Sequence, residues 1–429
     1  MSWLQRHRLR SMVRNSVWLP ALLGLVAALL MHPLIRRVDQ VLGWTATIGP
    51  EGARALLATL ASSMLTFIVF VFSILLVAVQ LASAQLTPRV IAIIYRTGII
   101  RLSLTVFVFA FTYSLASLSR IEGAVPQLSA WVAAYSCVAS IGVFLYMIDY
   151  VGKSLRPVSL LTRIGREGQD VIRSVYPQPF AGTEAATNVA LVVDGGPSRT
   201  VASGRTGIVL AFDTAGLVDL ARRGDCLIEF VPQVGDFVAE GDPLFRLYHG
   251  GAGIADHALN QAVAIGPERT MEQDPHFAFR IIVDIAAKAL SPAINDPTTA
   301  VLALDQIHFL LRGVASRQLD TGRVHDGAGR LRLAYRTPDW EDFISLATTE
   351  IRQFGRGSIQ VVRRMRAMLE NLIEAVPPPR AALLRAELAL LSHGVERDFL
   401  DPEDRIRAAS ADSLGVGGAP REPAAAARS

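Results

Sequence analysis

The amino-acid sequence predicts an α-helical transmembrane domain of four helices, followed by a cytoplasmic α+β region. The first observation is composition, since 51% of the 429 residues are hydrophobic and the mean hydropathy is positive. The second is the placement of charge, because long charge-free runs are concentrated in the first third of the chain. The third is a change of pattern, in which short Val- and Gly-rich segments typical of strands precede amphipathic helical segments.

The second of the four predicted helices is the longest. No charged side chain lies between Arg54 and Arg89. As a helix, Ala55–Ala84 extends roughly 45 Å, whereas the hydrocarbon core of a bilayer is about 30 Å thick. The helix must therefore tilt or project beyond the membrane.

The polar residues of this helix follow a regular pattern. Thr59, Thr66, Ser73, Gln80 and Thr87 are spaced by seven residues, and Ser62, Ser63 and Ser83 lie beside them. This spacing places the polar side chains on one face, which drifts by about 20° per heptad. Because a polar face in hydrocarbon needs a partner helix or water, two interpretations stay open. The face is either a helix–helix seam or a wetted pathway around the axis of an oligomer.

The other predicted membrane helices lie in apolar runs at residues 15–35, 99–118 and 127–148. Together with the second helix they form a predicted transmembrane domain of residues 1–154. Residues 1–150 carry eleven arginines and four acidic residues. The basic residues are concentrated before the first helix, between the second and third, and after the fourth. This bias predicts a plasma-membrane protein with both termini in the cytoplasm.

Residues 155–186 are predicted to be a basic connector, and residues 187–252 a small Gly-rich domain of barrel or sandwich form. The predicted strands are 188–193, 206–212, 226–231 and 243–248. The phrase Val234–Leu244 resembles the turn-and-strand phrase of barrel-sandwich domains, the group that contains the biotinyl and lipoyl carriers. Those carriers attach their cofactor to a lysine, and this chain has no lysine between Lys153 and Lys288. A carrier role is therefore excluded, and we expect no cofactor.

Residues 253–315 are predicted to form a helical domain around the phrase Ser291-Pro-Ala-Ile-Asn-Asp-Pro297. Pro292 stops one helix, and Asp296 begins the next as its N-cap. One interpretation is a sharp helix–turn–helix corner. The other is a site for a cation or for the arginine of a partner element, because exposed helix amides and a carboxylate lie together. The residues of this candidate site are Arg269, Asp284, Ser291, Asn295 and Asp296.

The remainder of the chain is predicted to be helical with a disordered end. Residues 316–410 contain a polar link, 316–336, and then the C-terminal helices, with a break at Gly355 and Gly357. Residues 411–429 are rich in Ala, Gly, Pro and Arg, and their lack of bulky apolar side chains predicts a disordered tail.

Signatures of catalysis are absent from the sequence. It contains no phosphate loop, no Cys-x-x-Cys pair, no zincin spacing and no serine elbow, so we expect no enzyme and no catalytic residues. Asp256-His257 and Asp274-x-His276 are isolated pairs, which argues against a metal site. The excess positive charge belongs to the membrane part, so nucleic acid is not an expected partner.

The chain resembles a bacterial family of predicted membrane proteins grouped as domain of unknown function 2254. The resemblance rests on the four spans, on Arg269-Thr-x-x-Gln-Asp-Pro275, on Asp284-Ile-Ala and above all on Ala289-Leu-Ser-Pro-Ala-Ile-Asn-Asp-Pro297. It implies an integral membrane protein and supplies no activity. We expect a homo-oligomeric channel or transport protein whose second helix lines the path for an unidentified ion or small ligand. The alternative is a membrane-anchored sensor or scaffold whose cytoplasmic domain binds a ligand or a protein.

The distribution of arginines makes the topology testable. A compartment-dependent reporter fused after Arg407 is expected to behave as cytoplasmic, and the same reporter inserted near Gly43 as periplasmic, because basic flanks are retained inside. Each fusion is the control for the other. The reverse pattern of reporter activity would reject the topology.

Overall fold

The computed structural model describes residues 3–16, 18–42, 49–87, 89, 97–119, 121, 127–182 and 196–418. The chain divides into two compact units, residues 9–159 and residues 1–8 with 160–429. We call the first the membrane-helix unit and the second the sheet-and-helix unit.

The membrane-helix unit is built from long apolar helices. The helices of residues 3–154 are α1 (Trp3–Asn15), which crosses the division between the units, α2 (Trp18–Leu42), α3 (Pro50–Gln85), α4 (Gly98–Leu118) and α5 (Gln127–Ser154). Among the described residues, α2 to α5 are the four helices that are long and apolar enough to cross a membrane. The predicted set of four apolar helices is confirmed.

Small residues bring the membrane helices close together. A Cβ atom added at Gly24 of α2 would lie 2.3 Å from the carbonyl oxygen of Thr105 on α4, so no larger residue fits there. The hydroxyl of Thr105 donates to the carbonyl of Pro20 at 3.0 Å. Ala110 and Ser114 of α4 are fully buried. Close backbone approach at small residues therefore holds this unit together.

Two sheets form the β part of the sheet-and-helix unit. The strands are β1 (Arg199–Ala202), β2 (Gly207–Phe212), β3 (Leu227–Phe230), β4 (Phe237–Val238), β5 (Pro243–Tyr248), β6 (Val263–Gly266), β7 (Arg323–His325) and β8 (Leu331–Tyr335). Within the described ranges, five strands pair in the order β1-β5-β3-β8-β7 and three in the order β4-β2-β6. Neighbouring strands are antiparallel, except that β3 and β8 are parallel.

The two sheets share one hydrophobic core. The ring of Phe230 on β3 lies 5.3 Å from that of Phe245 on β5 and 4.9 Å from that of Phe212 on β2. Helix α7 (Thr214–Arg223) adds the buried side chains of Leu217 and Ala221. The elements therefore form a two-sheet structure with one interior, and the predicted barrel form is not confirmed.

The β structure extends beyond its predicted end at residue 252. Strand β6 lies in the predicted helical domain, and β7 and β8 lie in the predicted polar link. The composition of β8 did not predict a strand, because its second residue, Arg332, is a buried arginine. Arg332 donates to Asp326 at 2.7 Å and to Asp225 at 2.9 Å, so its charge is compensated inside the fold. The predicted strand 188–193 lies outside the described residues.

A layer of helices completes this unit. Its helices are α6 (Pro157–Val175), α8 (Asp256–Asn260), α9 (Pro275–Ala289), α10 (Pro297–Ala315), α11 (Trp340–Phe354), α12 (Ile359–Ala375), α13 (Pro378–Asp398) and α14 (Pro402–Ala408). The break predicted at Gly355 and Gly357 separates α11 from α12. Order extends past the predicted limit at residue 411, since Asp412 is buried and accepts hydrogen bonds from three backbone amides. Residues 419–429 lie outside the described part of the chain.

Helix α6 occupies most of the predicted connector. Its apolar residues recur at helical spacing, and Leu161, Ile164 and Ile172 are fully buried. A Cβ atom at Gly165 would collide with the side chain of Gln306 on α10, and one at Gly168 with Ala278 on α9. The arginines of this segment obscured an amphipathic helix that packs through a glycine-lined face.

A buried arginine joins three parts of the helical layer. Arg380 is fully buried, and its Nη1 atom donates to the carbonyl oxygens of Val314 and Ala315, both at 2.9 Å. These are carbonyl groups of the last turn of α10, which have no partner within the helix. The guanidinium also lies over the rings of Phe180 and Trp340. Arg380 therefore caps α10 from inside the protein.

Candidate functional site

The polar face of α3 is exposed from Thr59 to Gln80, whereas Thr87 is buried and lies beyond the end of the helix. Its residues are Thr59, Ser62, Thr66, Ser73 and Gln80, all of them exposed. The buried residues of the same helix are Leu57, Ala61, Met64, Val71, Leu75 and Val79. At about 100° per residue, the two sets point in directions roughly 160° apart. The polar face therefore lies opposite the face that packs against the rest of the unit.

The hydroxyl groups of this face bond to their own helix. Thr59 donates to the carbonyl of Ala55 at 2.8 Å, and Ser73 to that of Val69 at 2.9 Å. Thr66 donates to the carbonyl of Ser62 at 3.2 Å. Each hydroxyl oxygen still has lone pairs that can accept a hydrogen bond from water. Within the described residues, no neighbouring helix of the same chain covers this face, so it is not an internal seam.

The segment Arg269–Pro275 forms a local clamp at the start of α9. Arg269 pairs with Asp274, and Asp274 caps the helix by accepting from the backbone amide of Phe277 at 3.1 Å. Burial raises the pKa of Asp274, whereas Arg269 lowers it. Gln273 accepts from the amide of Phe212 at 3.1 Å, which ties the clamp to the end of β2.

Asp284 belongs to a separate ion-pair network. Arg280 donates to Asp284 at 2.7 Å and makes two parallel hydrogen bonds, of 2.6 and 2.7 Å, with the carboxylate of Glu350. The bonds to Glu350 raise the pKa of Arg280, and Arg280 lowers the pKa of Glu350. The network links α9 to α11.

The corner between α9 and α10 is held by its own backbone and caps. The amide of Asp296 donates to the carbonyl of Ala289 at 2.7 Å. Its carboxylate accepts from both the amide and the hydroxyl of Thr299, at 3.1 and 2.5 Å. Asn295 has a φ of 48°, and the hydroxyl of Ser291 donates to the carbonyl of Lys288 at 2.7 Å. The predicted N-cap is confirmed.

The predicted candidate residues of the sheet-and-helix unit have different partners. Arg269 pairs with Asp274, Asp284 with Arg280, and Asp296 with Thr299. Each of these polar groups therefore has a structural role in α9, in α10 or in the segments that flank them. A common ligand site for the five residues stays a prediction.

Metal ligands are not grouped in the described part of the chain, where no cluster of three or more His, Cys, Asp or Glu side chains occurs. Asp256 pairs with Arg199. Burial lowers the pKa of His276 to about 3, and its ring packs edge-on against Phe343. His276 is therefore a neutral core residue near neutral pH.

A cavity that was not predicted lies beside the Arg269–Pro275 clamp. Its volume is about 240 Å³. The lining residues come from six segments, and they are Ser174, Val175, Tyr176, Phe212, Thr214, Gln233, Val234, Gln273, Asp274, Pro275, Asp320, Tyr335, Arg336, Thr337 and Pro338. Of these, Gln273, Asp274 and Pro275 belong to a phrase that the sequence already singled out. The other segments carry no motif, so only the fold brings them together.

Comparison with known proteins identifies the family. The model of the family described as predicted membrane protein (DUF2254) matches residues 14–371. The chain belongs to this family. Among its DUF2254 relatives are the uncharacterized proteins Mb1321c of Mycobacterium bovis and Rv1290c of Mycobacterium tuberculosis. Each is 27% identical over 370 residues, which cover 83% of this chain and 70% of the relative. No solved structure matches the chain.

Two substitutions of Asp296 distinguish its role as a helix cap from a role in ligand binding. Asp296→Asn is expected to keep stability near that of the parent, because Asn caps a helix about as well as Asp, whereas Asp296→Ala should cost about 1 kcal/mol. Thermal unfolding of the full chain in detergent measures both effects. An Asp296→Asn protein that folds normally but loses function would instead favour a site that needs the charge.

Proposed function

We propose that the protein spans the bacterial inner (plasma) membrane and assembles into a homo-oligomer in which α3 lines a path for ions or small solutes. The observation that carries this proposal is the position of the polar face of α3. It runs along an apolar helix on the side turned away from the rest of the membrane-helix unit.

The properties of hydrocarbon support an aqueous or protein environment for this face. Lipid tails offer no hydrogen-bond partner, so polar side chains in membrane helices are found against other helices or water. The hydroxyls of Thr59, Thr66 and Ser73 are partly satisfied by their own backbone. Gln80 carries an exposed amide, which a backbone bond of that kind does not satisfy. The demand for a polar surrounding is therefore greatest towards the C-terminal end of α3.

Symmetry supplies the missing partner. One chain presents one polar face, and copies arranged around a rotation axis bring identical faces together. A ring of hydroxyl and amide groups is a surface along which water and solutes can pass. With 36 residues, α3 is roughly 54 Å long, which exceeds the hydrocarbon thickness of about 30 Å. The path therefore extends beyond the membrane on at least one side.

The orientation follows from the arginines, and we propose that both termini are cytoplasmic. The lipid bilayer and further copies of the chain are the proposed partners. No catalytic step is part of the proposal, because the sequence contains none of the motifs that position a nucleophile, a phosphate or a metal.

A membrane-anchored sensor is the second candidate function, and the cavity favours it. Two residues separate the end of α5 from the start of α6, and the C-terminal residues of α6, Ser174 and Val175, line the cavity together with Tyr176. The helix that follows the last apolar helix thus ends at a potential ligand site. Helix α6 therefore connects that site to α5 along the chain.

Substitution at Ser73 distinguishes a path from a dry seam. If α3 lines a wetted path, Ser73→Asn should still assemble and should change conductance or selectivity in reconstituted bilayers, because a larger polar group is tolerated in water. If copies meet in a dry seam, the same change should reduce assembly, because the larger side chain separates the helices.

The matched control is Ile74→Asn, which places the same group about 100° further round the helix. Ile74 is also exposed in the single chain, so this variant changes an exposed residue that does not belong to the polar face. It is expected to weaken the folded protein in the membrane without changing selectivity. Loss of assembly by Ser73→Asn, with no conductance in the parent, would reject the path.

A further inference from the structure

The cavity in the sheet-and-helix unit has the size of a site for a small metabolite. Its volume of about 240 Å³ lies just below the range of about 300–1,000 Å³ found for drug-sized ligands. It lies where Phe212 ends β2, where α9 begins and where Tyr335 ends β8. Converging ends of several elements are the usual setting of small-molecule sites.

Tyr176 supplies a buried hydroxyl that has no hydrogen-bond partner of normal geometry among the described residues. Its side chain is 1% exposed, and its hydroxyl makes no hydrogen bond of normal geometry, although Thr337 lies beside it. Burial raises its pKa, and the charges of Asp320 and Asp274 raise it further. The hydroxyl therefore stays protonated and lies close to other lining residues. Since most buried polar groups in proteins have a partner, this hydroxyl is a donor that can still form a hydrogen bond.

Asp320 supplies a carboxylate whose charge is not compensated. It accepts from the backbone amide of Gly322 at 3.0 Å and from the hydroxyl of Tyr335. Within the described residues, no lysine, arginine or histidine lies within ion-pair distance of it. The other acidic lining residue, Asp274, already pairs with Arg269. A carboxylate has about four acceptor positions, so Asp320 can take further donors from a ligand.

Aromatic rings line the cavity near this carboxylate. Phe212 and Tyr335 meet edge to face with their centroids 5.0 Å apart. The face of an aromatic ring attracts a cation, and an ammonium group gains from a ring and a carboxylate together. Arg336 is exposed and also lines the cavity, so a cationic group of the protein is available to a ligand carboxylate.

We propose that this cavity binds a small zwitterion of amino-acid size. Its ammonium group lies against Asp320 and the aromatic rings, and an oxygen of its carboxylate accepts from the hydroxyl of Tyr176. The two charges of the ligand match the uncompensated carboxylate and the unpaired donor of the protein. This binding does not depend on whether α3 lines a path.

Binding is tested on the full chain purified in detergent. L-Amino acids, one at a time, and glycine betaine serve as zwitterionic probes, with ethylammonium and propionate as probes that carry a single charge. At least one zwitterion should raise the thermal unfolding midpoint saturably and bind in calorimetry, and the single-charge probes should bind at least about tenfold more weakly. Absence of a shift with every zwitterion would overturn the proposal.

Two conservative variants locate the binding. Tyr176→Phe keeps the ring contact with Phe343 and removes only the hydroxyl, so it should weaken binding about tenfold or more. Without ligand its unfolding midpoint should not fall, because no hydrogen bond is lost. Asp320→Asn should weaken binding at least as much, because it removes the charge that faces the ammonium group.

The matched controls are Tyr248→Phe and Asp305→Asn, which change the same groups outside the cavity. Tyr248 donates to Glu229, and Asp305 pairs with Arg364. Both controls should bind the zwitterion as the parent does. Unchanged binding by the Tyr176 and Asp320 variants, or equal losses in the controls, would overturn the assignment of the cavity.

Discussion

The need of polar groups for a partner in an apolar surrounding is the constraint on which the membrane-helix unit depends. Its helices satisfy their backbones internally and meet through small residues such as Gly24 and Ala110. The polar face of α3 does not take part in that packing. Helix α3 has an apolar face that packs within its own chain and a polar face on the opposite side. Such a helix suits an assembly of several copies better than a single chain surrounded by lipid.

The sheet-and-helix unit follows the same constraint. Arg380 and Arg332 are buried, and each is held by carbonyl or carboxylate oxygens. Asp274 is buried beside Arg269. The hydroxyl of Tyr176 is one of the buried polar groups of this unit that have no partner among the described residues, and Tyr176 lines a cavity.

Local features of this chain could be predicted, because they depend on neighbouring residues. Four long apolar runs predict four apolar helices, and the Asp296-Pro297 pair predicts a helix start. Pairing between distant segments could not be predicted. Strand β8 pairs with β3, about a hundred residues earlier in the chain. From the sequence alone Arg332 is expected at the surface, because its partners Asp225 and Asp326 become its neighbours only in the folded protein. The cavity was missed for the same reason, since its walls come from six segments.

We propose that the polar face of α3 is turned to water or protein and not to lipid. The most direct test of this proposal attaches a nitroxide at residue 73, and separately at residue 74, of the protein in bilayers, after replacement of Cys137 and Cys226. Relaxation by oxygen reports contact with lipid, and relaxation by a water-soluble nickel complex reports contact with water. We expect oxygen to relax the label at 74 much more strongly than the label at 73, and the nickel complex to relax the label at 73 if the face lines a water-filled path. Equal and strong relaxation of both labels by oxygen would contradict it.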